Sequence, residues 1–286
     1  MNPYRFSGHE TFHCRHFWLK KAFDFIDQGK KFKDSEAVVD LGVGKNMVGS
    51  MNHWLKAFGL LDDKSLELTT LSNFLFGYKG ADLFLENENT FWLLHYQLQK
   101  INYSSIYHLA FHQFRKTRVS FDFTALGLSE YLIRQCMINE IPFSENTIRN
   151  DVKVFLRSYL PPSRGAKSLE EDLSALFIDL RLIYEVEGLK EKGEQVYRFN
   201  YGIHNSLSPY IFLYAILDQF EEKSISFDDV QRTVSDYFLC NQEQTHQLIE
   251  ALVEKKYLVY NEDGGRKEIQ IKTALTKWEI LNECYG

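Results

Sequence analysis

The chain has 286 residues, 44% of them hydrophobic and 25% charged, which is enough to bury ordinary cores in one to three domains. No apolar run approaches the roughly 18 to 20 residues needed to cross a bilayer, and the start MNPYRFSGHE lacks a signal core, so a cytoplasmic protein is expected. A net charge of −6 gives no overall pull toward polyanions, so any contact with nucleic acid has to come from local basic faces or from a partner.

Cys14, Cys136, Cys240 and Cys284 lie far apart with no C-x-x-C pair, which argues against a disulfide framework and a cysteine zinc site. The 23 Phe and 16 Tyr point to aromatic-rich cores between packed helices.

The pattern is mainly helical. Ser7 followed by Glu10 reads as a capping box, with Phe12, Leu19, Phe23 and Ile26 at helical spacing behind it, so a first helix is expected from about Gly8 to Asp27. Next, DSEAVVDLGVGKNMVGSMNHWLKAFGLL gives a short helix through Asp40 capped by Asp34 or Ser35, a glycine turn, and a helix from Lys45 to about Phe58. Val48, Met51, Leu55 and Phe58 form its inward stripe, leaving Lys45, Asn46, Ser50, His53 and Lys56 toward solvent or a ligand. Gly59 stops the helix, and LLDDKSLELTT has the form of a wing of two short strands.

The arrangement recurs twice in outline. GLSEYLIRQCMINEIPFSENTIRNDVKVFLRSYLPP gives two helices, the second capped by Ser144 with Ile148, Val152 and Phe155 inward and Arg149, Asn150, Lys153 and Arg157 on its other face. Pro161, Pro162 and SRGAKS mark a loop. After GIHNSLSP come three helices and the hairpin YLVYNEDGGRKEIQIK with its Asp-Gly-Gly turn. The fold class expected is therefore mainly α with small β wings, several winged helix-turn-helix units packed together, in domains 1–100, 101–205 and 206–286.

Two basic faces suit DNA: Lys45, Asn46, Ser50, His53 and Lys56 for phosphates and base edges, and Arg149, Asn150, Lys153 and Arg157 on successive turns for phosphates. A plain solvated face is the alternative for both. The third helix of the last unit carries Glu243, His246, Glu250 and Glu254, an acidic face better suited to protein contact.

His9, Glu10 and His13 spell H-E-x-x-H, the pattern of a zinc peptidase helix. Here it occupies a first turn beside a capping Ser with no third ligand in view, and Glu10 has an ordinary occupation, reaching back to the Ser7 amide, so zinc hydrolysis is not favoured.

FSGHETF with Arg15 and WLKK, then LGVGKNMV, WLKAFGLL, LTTLSNFLFGYKGADLFLE and TFWLLHYQL, resemble over roughly residues 5 to 100 a bacterial family long catalogued as a domain of unknown function. One of its members is the B subunit of the Ssp single-stranded DNA phosphorothioation system. The resemblance implies a DNA-nicking subunit of an anti-phage defence system, working beside a cysteine desulfurase, an ATPase and an ATP-pyrophosphatase-type enzyme. The family motif comprises the His-Glu-Thr-Phe and the later Arg; the position of His13 lies outside it.

Phosphodiester hydrolysis at neutral pH usually calls for a hard cation such as Mg²⁺ held by carboxylates and water. Within the resembling region the catalytic candidates are His9, Glu10 and Arg15, and the metal candidates Asp82, Glu86 and Glu10. His95 is a further group of note. His9 is either a general base or phosphate-orienting group, or a buried helix-start histidine bonded to a backbone carbonyl. Asp82 either holds metal or caps the turn after Gly80; Glu86 either joins it or is a solvated acid. Arg15 either holds a phosphate or pairs with Glu10 or Asp82. A non-catalytic DNA-binding adaptor and a protein-docking scaffold are the alternative functions.

Overall fold

A computed structural model describes residues 4–162 and 175–286. The chain is mainly helical, with two three-stranded antiparallel sheets among the described residues. It divides into two compact units, one of residues 1–86 and 97–200, the other of residues 87–96 and 201–286. These units are not nested with the domains 1–100, 101–205 and 206–286 expected from the sequence, since residues 87–96 group with 201–286, and the expected SRGAKS loop lies outside the described residues.

In the first unit α1 (Trp18–Asp27), α2 (Ala37–Leu41), α3 (Lys45–Ala57) and α4 (Thr70–Phe76) pack around Trp18, Leu19, Phe23, Met51, Trp54, Leu55 and Phe76, all buried. The apolar stripe of α3 is the expected one, with Val48, Met51, Leu55 and Phe58 inward. Gly59 ends it at φ +66. Where two strands of a wing were expected after α3 there is one antiparallel bridge between Leu61 and Leu68, because Asp62 draws the amides of Lys64 and Ser65 into a side-chain turn that competes with strand pairing.

Two expected caps are absent. α1 begins at Trp18, ten residues later than the spacing of Ser7 and Glu10 suggests, and α2 starts after Glu36 without a side-chain cap, while the Asp34 carboxylate accepts the Lys31 amide.

The unit continues through the amino-acid run of α5 (Glu88–Ile101) from Gln97 on, α6 (Ser105–His108), a π-helical turn (Leu109–Phe114), β1 (Asp122–Thr124), α7 (Ala125–Ile138), α8 (Glu145–Tyr159), β2 (Ile183–Glu191) and β3 (Glu194–Phe199). The strand order is β1-β3-β2, with Phe123 opposite Tyr197 and Ile183 opposite Phe199. Ile148, Val152, Phe155 and Tyr159 recur on one face of α8 and are buried, meeting Tyr107, Phe111 and Phe199 in an aromatic core. Burying each such ring contributes about 1.5–3 kcal/mol. Ser144 stands at the N-cap of α8 as expected, but its side chain makes no cap bond.

In the second unit α9 (Pro209–Gln219), β4 (Ser224–Ser226), α10 (Phe227–Tyr237), α11 (Gln242–Glu254), β5 (Leu258–Asp263), β6 (Arg266–Ile271) and α12 (Lys277–Tyr285) follow one another, with sheet order β4-β6-β5. The expected hairpin turns at Gly264 and Gly265, both with positive φ, between the paired Asp263 and Arg266. Tyr96 and Lys277 both bond the nearly buried Asp218 carboxylate, tying α12 and the middle of α5 to the end of α9. No described helix is long and apolar enough to cross a membrane.

Candidate functional site: the His-Glu-Thr-Phe loop and its clamp

The FSGHETF stretch is a strained loop. Ser7, Gly8, Glu10 and Thr11 have φ of +68, +90, +49 and +66, a left-handed path that three non-glycine residues adopt only when their surroundings impose it. The imposing contacts converge on Asp151, buried on α8. The Ser7 amide donates to both its carboxylate oxygens at 3.1 and 3.0 Å, and His9 Nε2 lies 3.0 Å from Oδ1.

Three expectations change here. Glu10 does not reach back to the Ser7 amide, because that amide is spent on Asp151. His9 is not a helix-start histidine bonded to a carbonyl; its partner is the Asp151 carboxylate, 142 positions away. H-E-x-x-H does not lie on a helix, since the chain from Gly8 to His13 is turn and coil, and His13 is buried.

The Thr11 amide donates to His9 Nδ1 at 3.2 Å. Nδ1 is therefore an acceptor, which leaves Nε2 as the protonated nitrogen donating to Asp151. With both nitrogens engaged and the residue only 2% exposed, His9 fixes the loop and has no atom free to meet a DNA phosphate. Its ring stacks on Trp54, whose indole N–H donates to the Phe12 carbonyl at 3.2 Å, and meets the edge of His53.

α3 supplies the floor of the loop. His53 and Ser50, expected toward solvent or a ligand, are buried at 4% and 0% exposure, His53 packing against Gly8 and the rings of His9 and Tyr103. Burial first, and the neighbouring His9, Arg5 and Lys56 after it, push the His53 imidazole down to about 3. A β-carbon on Gly8 would stand 2.7 Å from His53 Nδ1, so both φ and space demand glycine there. The Glu10 side chain runs past Gly49, whose added β-carbon would stand 3.6 Å from Glu10 Cγ.

What the loop presents is Glu10 and Thr11, both exposed, and Lys45 and Asn46 at the start of α3 are exposed as well. Lys56 is instead half-buried in an ion pair with Asp63 at 2.9 Å. On α8, Arg149, Lys153 and Arg157 are exposed and Asn150 half-buried. Arg157 donates to the Thr11 carbonyl, so the cationic face of α8 reaches the loop. Arg15 pairs its backbone with Ala175, and its guanidinium lies over the rings of Trp18 and Phe12.

The metal candidates are not gathered. Asp82 is buried with Oδ1 accepting the Glu86 amide at 2.9 Å, in a turn rather than a helix, while the Glu86 side chain is exposed. Among the described residues no three His, Cys, Asp or Glu side chains come together in a way that could hold a metal ion. Asp82, Glu86 and Glu10 thus do not fit a magnesium cage built from protein groups alone. His95 is buried in the second unit with Nε2 3.0 Å from the Tyr237 carbonyl.

The sequence reading missed Asp151. Its signal was present: a carboxylate three residues after Ile148 and four before Phe155, on the apolar stripe of α8, where a charge is costly unless paired.

The model of the family described as a protein of unknown function (DUF4007) matches residues 6–285. A magnesium ion-bound crystal structure of SspB is similar at 26% identity and a TM-score of 0.82, covering 98% of this chain and 87% of that one. A second SspB crystal structure is similar at 27% identity and a TM-score of 0.80, with the same coverage. Among curated proteins nothing matches.

Proposed function

The chain belongs to the DUF4007 family, and we propose that it is a DNA-binding, strand-nicking subunit of a phosphorothioation-based anti-phage defence system, acting with a cysteine desulfurase, an ATPase and an ATP-pyrophosphatase-type enzyme. The observation that carries this reading is the likeness to SspB across 98% of the chain. Two segments have the order of winged helices, β1-α7-α8-β2-β3 and β4-α10-α11-β5-β6, and we read them so. The stretch α2-α3 is a helix-turn-helix whose wing is rudimentary.

DNA lies, in this reading, across the exposed groups at the start of α3 and the cations of α8, with the strained loop between them. Arg149 and Lys153 take phosphates. His9 is a positioning residue, holding the Thr11 amide and the loop path rather than moving a proton to or from DNA. Glu10 is the motif's solvent-facing acid, suited to accept the proton of an attacking water. Arg15 is a candidate phosphate-binding group at the root of the loop. Magnesium is the metal to supply in the test, because an SspB structure holds it.

The second reading, a DNA-binding adaptor without nicking activity, draws on the buried and fully engaged His9 and on the scattered carboxylates. Supercoiled plasmid decides between the two. Open circles formed with Mg²⁺, absent with EDTA and lost in Glu10→Gln, support the nickase. Plasmid bound but left supercoiled, alone and with the partner enzymes added, supports the adaptor.

A further inference from the structure

A cleft of about 440 Å3 opens between the N-terminal segment Tyr4–Ser7 and the first turn of α8. Its size falls within the roughly 300–1,000 Å3 of small-molecule sites. Tyr4, Phe6 and Phe143 give it partly exposed aromatic rings, and Ser7, Ser144 and Thr147 give it hydroxyls. None of its lining residues is acidic. The Ser144 hydroxyl is not spent on capping α8. The Arg5 guanidinium, whose residue also lines the cleft, is drawn away over Tyr103 at 3.8 Å and to Asp63 at 3.3 Å, so no cation is committed inside.

Flat apolar faces with neutral hydrogen-bonding groups at the edge match a nucleobase better than a phosphate or a carboxylate. The cleft's position says how a base would arrive. Ser7 belongs both to the cleft and to the Asp151 clamp, and the helix whose first turn forms one wall carries the exposed Arg149, Lys153 and Arg157 along its length. On these grounds we infer that the cleft holds one unstacked nucleobase of a DNA strand whose phosphates follow the cations of α8. This rests on the DNA-binding reading and deepens it, because a base inside an intact duplex cannot present its face to Phe143. The protein therefore favours DNA in which a base is already unpaired, since extruding a paired one costs unstacking energy.

The test is fluorescence anisotropy at fixed salt with three probes: a 16-nucleotide single strand, its full duplex, and the duplex carrying one extrahelical base. The wild type is compared with Phe143→Leu, which keeps an apolar side chain in place but removes the ring, and with Phe143→Trp. Thermal melts of each variant confirm the fold. The inference expects the wild type to bind the extrahelical base more tightly than the full duplex. Phe143→Leu should weaken the single strand and the extrahelical probe by about 10-fold, the scale of one base–aromatic stack, with the full duplex unchanged and Phe143→Trp restoring affinity. Equal affinity for duplexes with and without the extra base, or a Phe143→Leu effect that is nil or the same on all three probes, overturns the cleft and leaves DNA binding intact. Failure of the wild type to bind any probe overturns both.

Discussion

Asp151 on α8 holds His9, 142 residues earlier, at 3.0 Å and takes the Ser7 amide on both of its oxygens. A helix of one segment thus fixes the path of a loop in another, and the bonds are charge-assisted, the one to His9 buried and those to Ser7 partly so. Asp151→Ala leaves the His9 Nε2–H and the Ser7 amide without their acceptor, at a cost of about 3 kcal/mol. Urea unfolding should show a lower midpoint with unchanged slope, and plasmid binding should weaken along with it. An unchanged midpoint would mean that the loop is held by its other contacts.

Two glycines separate a steric requirement from a permissive site. Gly8→Ala meets both a φ of +90 and a 2.7 Å approach to His53 Nδ1, so it should destabilise by roughly 2–4 kcal/mol. Gly49→Ala, within α3, brings its new methyl only to 3.6 Å from Glu10 Cγ. Helix propensity should then make it neutral or stabilising by up to about 1 kcal/mol. Thermal melts of the two variants give the comparison directly, and a destabilised Gly49→Ala would show that the packing of Glu10 on α3 is tighter than the distance implies.

The helices of both units were legible because their signals are local. The stripe Val48, Met51, Leu55 and Phe58 and the turn at Gly264–Gly265 are each decided by neighbours a few residues away. The loop was not legible for the same reason. Ser7 and Glu10 have capping-box spacing, which favours helix locally, yet Asp151 takes the Ser7 amide and the chain turns left-handed instead. Ser50 and His53 lie on a flank of α3 that the helix pattern leaves to solvent or a ligand; both are buried, His53 against Gly8 and the rings of His9 and Tyr103, contacts that come from residues remote in the chain. The motif residues were named from the sequence, whereas the Asp151 clamp that holds them was not.

Stability should fall with acid through His53. Its imidazole is held near 3 in the folded chain against an ordinary 6.5, chiefly by burial. Between those values the unfolded chain binds the proton and the folded one does not, so stability is complete above about pH 6.5 and declines as pH falls, by up to about 1.4 kcal/mol per pH unit. Asp63, bonded to Lys56, and Asp122, bonded to Arg198, are held below the usual carboxylate range, so their contributions are lost only at lower pH. Urea midpoints at pH 7 and pH 5.5 should therefore differ clearly in the wild type and much less in His53→Gln. The same pH slope in both proteins would assign the acid sensitivity elsewhere.

The two exposed cationic sites of α8 should be separable from the third by salt. Arg149 and Lys153 project from α8, with Arg149 only loosely paired to Glu145 at 3.4 Å, whereas the Arg157 guanidinium is bonded to the Thr11 carbonyl. Each phosphate contact on duplex DNA adds roughly 0.9 to the slope of log affinity against log salt. Arg149→Ala with Lys153→Ala should then lower the slope by about 1.8 and leave the melting temperature nearly unchanged. Arg157→Ala should lower the melting temperature too, since it releases the loop. In the second unit Glu243, Glu250 and Glu254 leave an acidic exposed face on α11, so converting all three to Gln should leave the slope unchanged if that face stands away from DNA. A salt slope insensitive to Arg149 and Lys153 would remove α8 from the DNA interface, and with it the path that leads a strand to the loop.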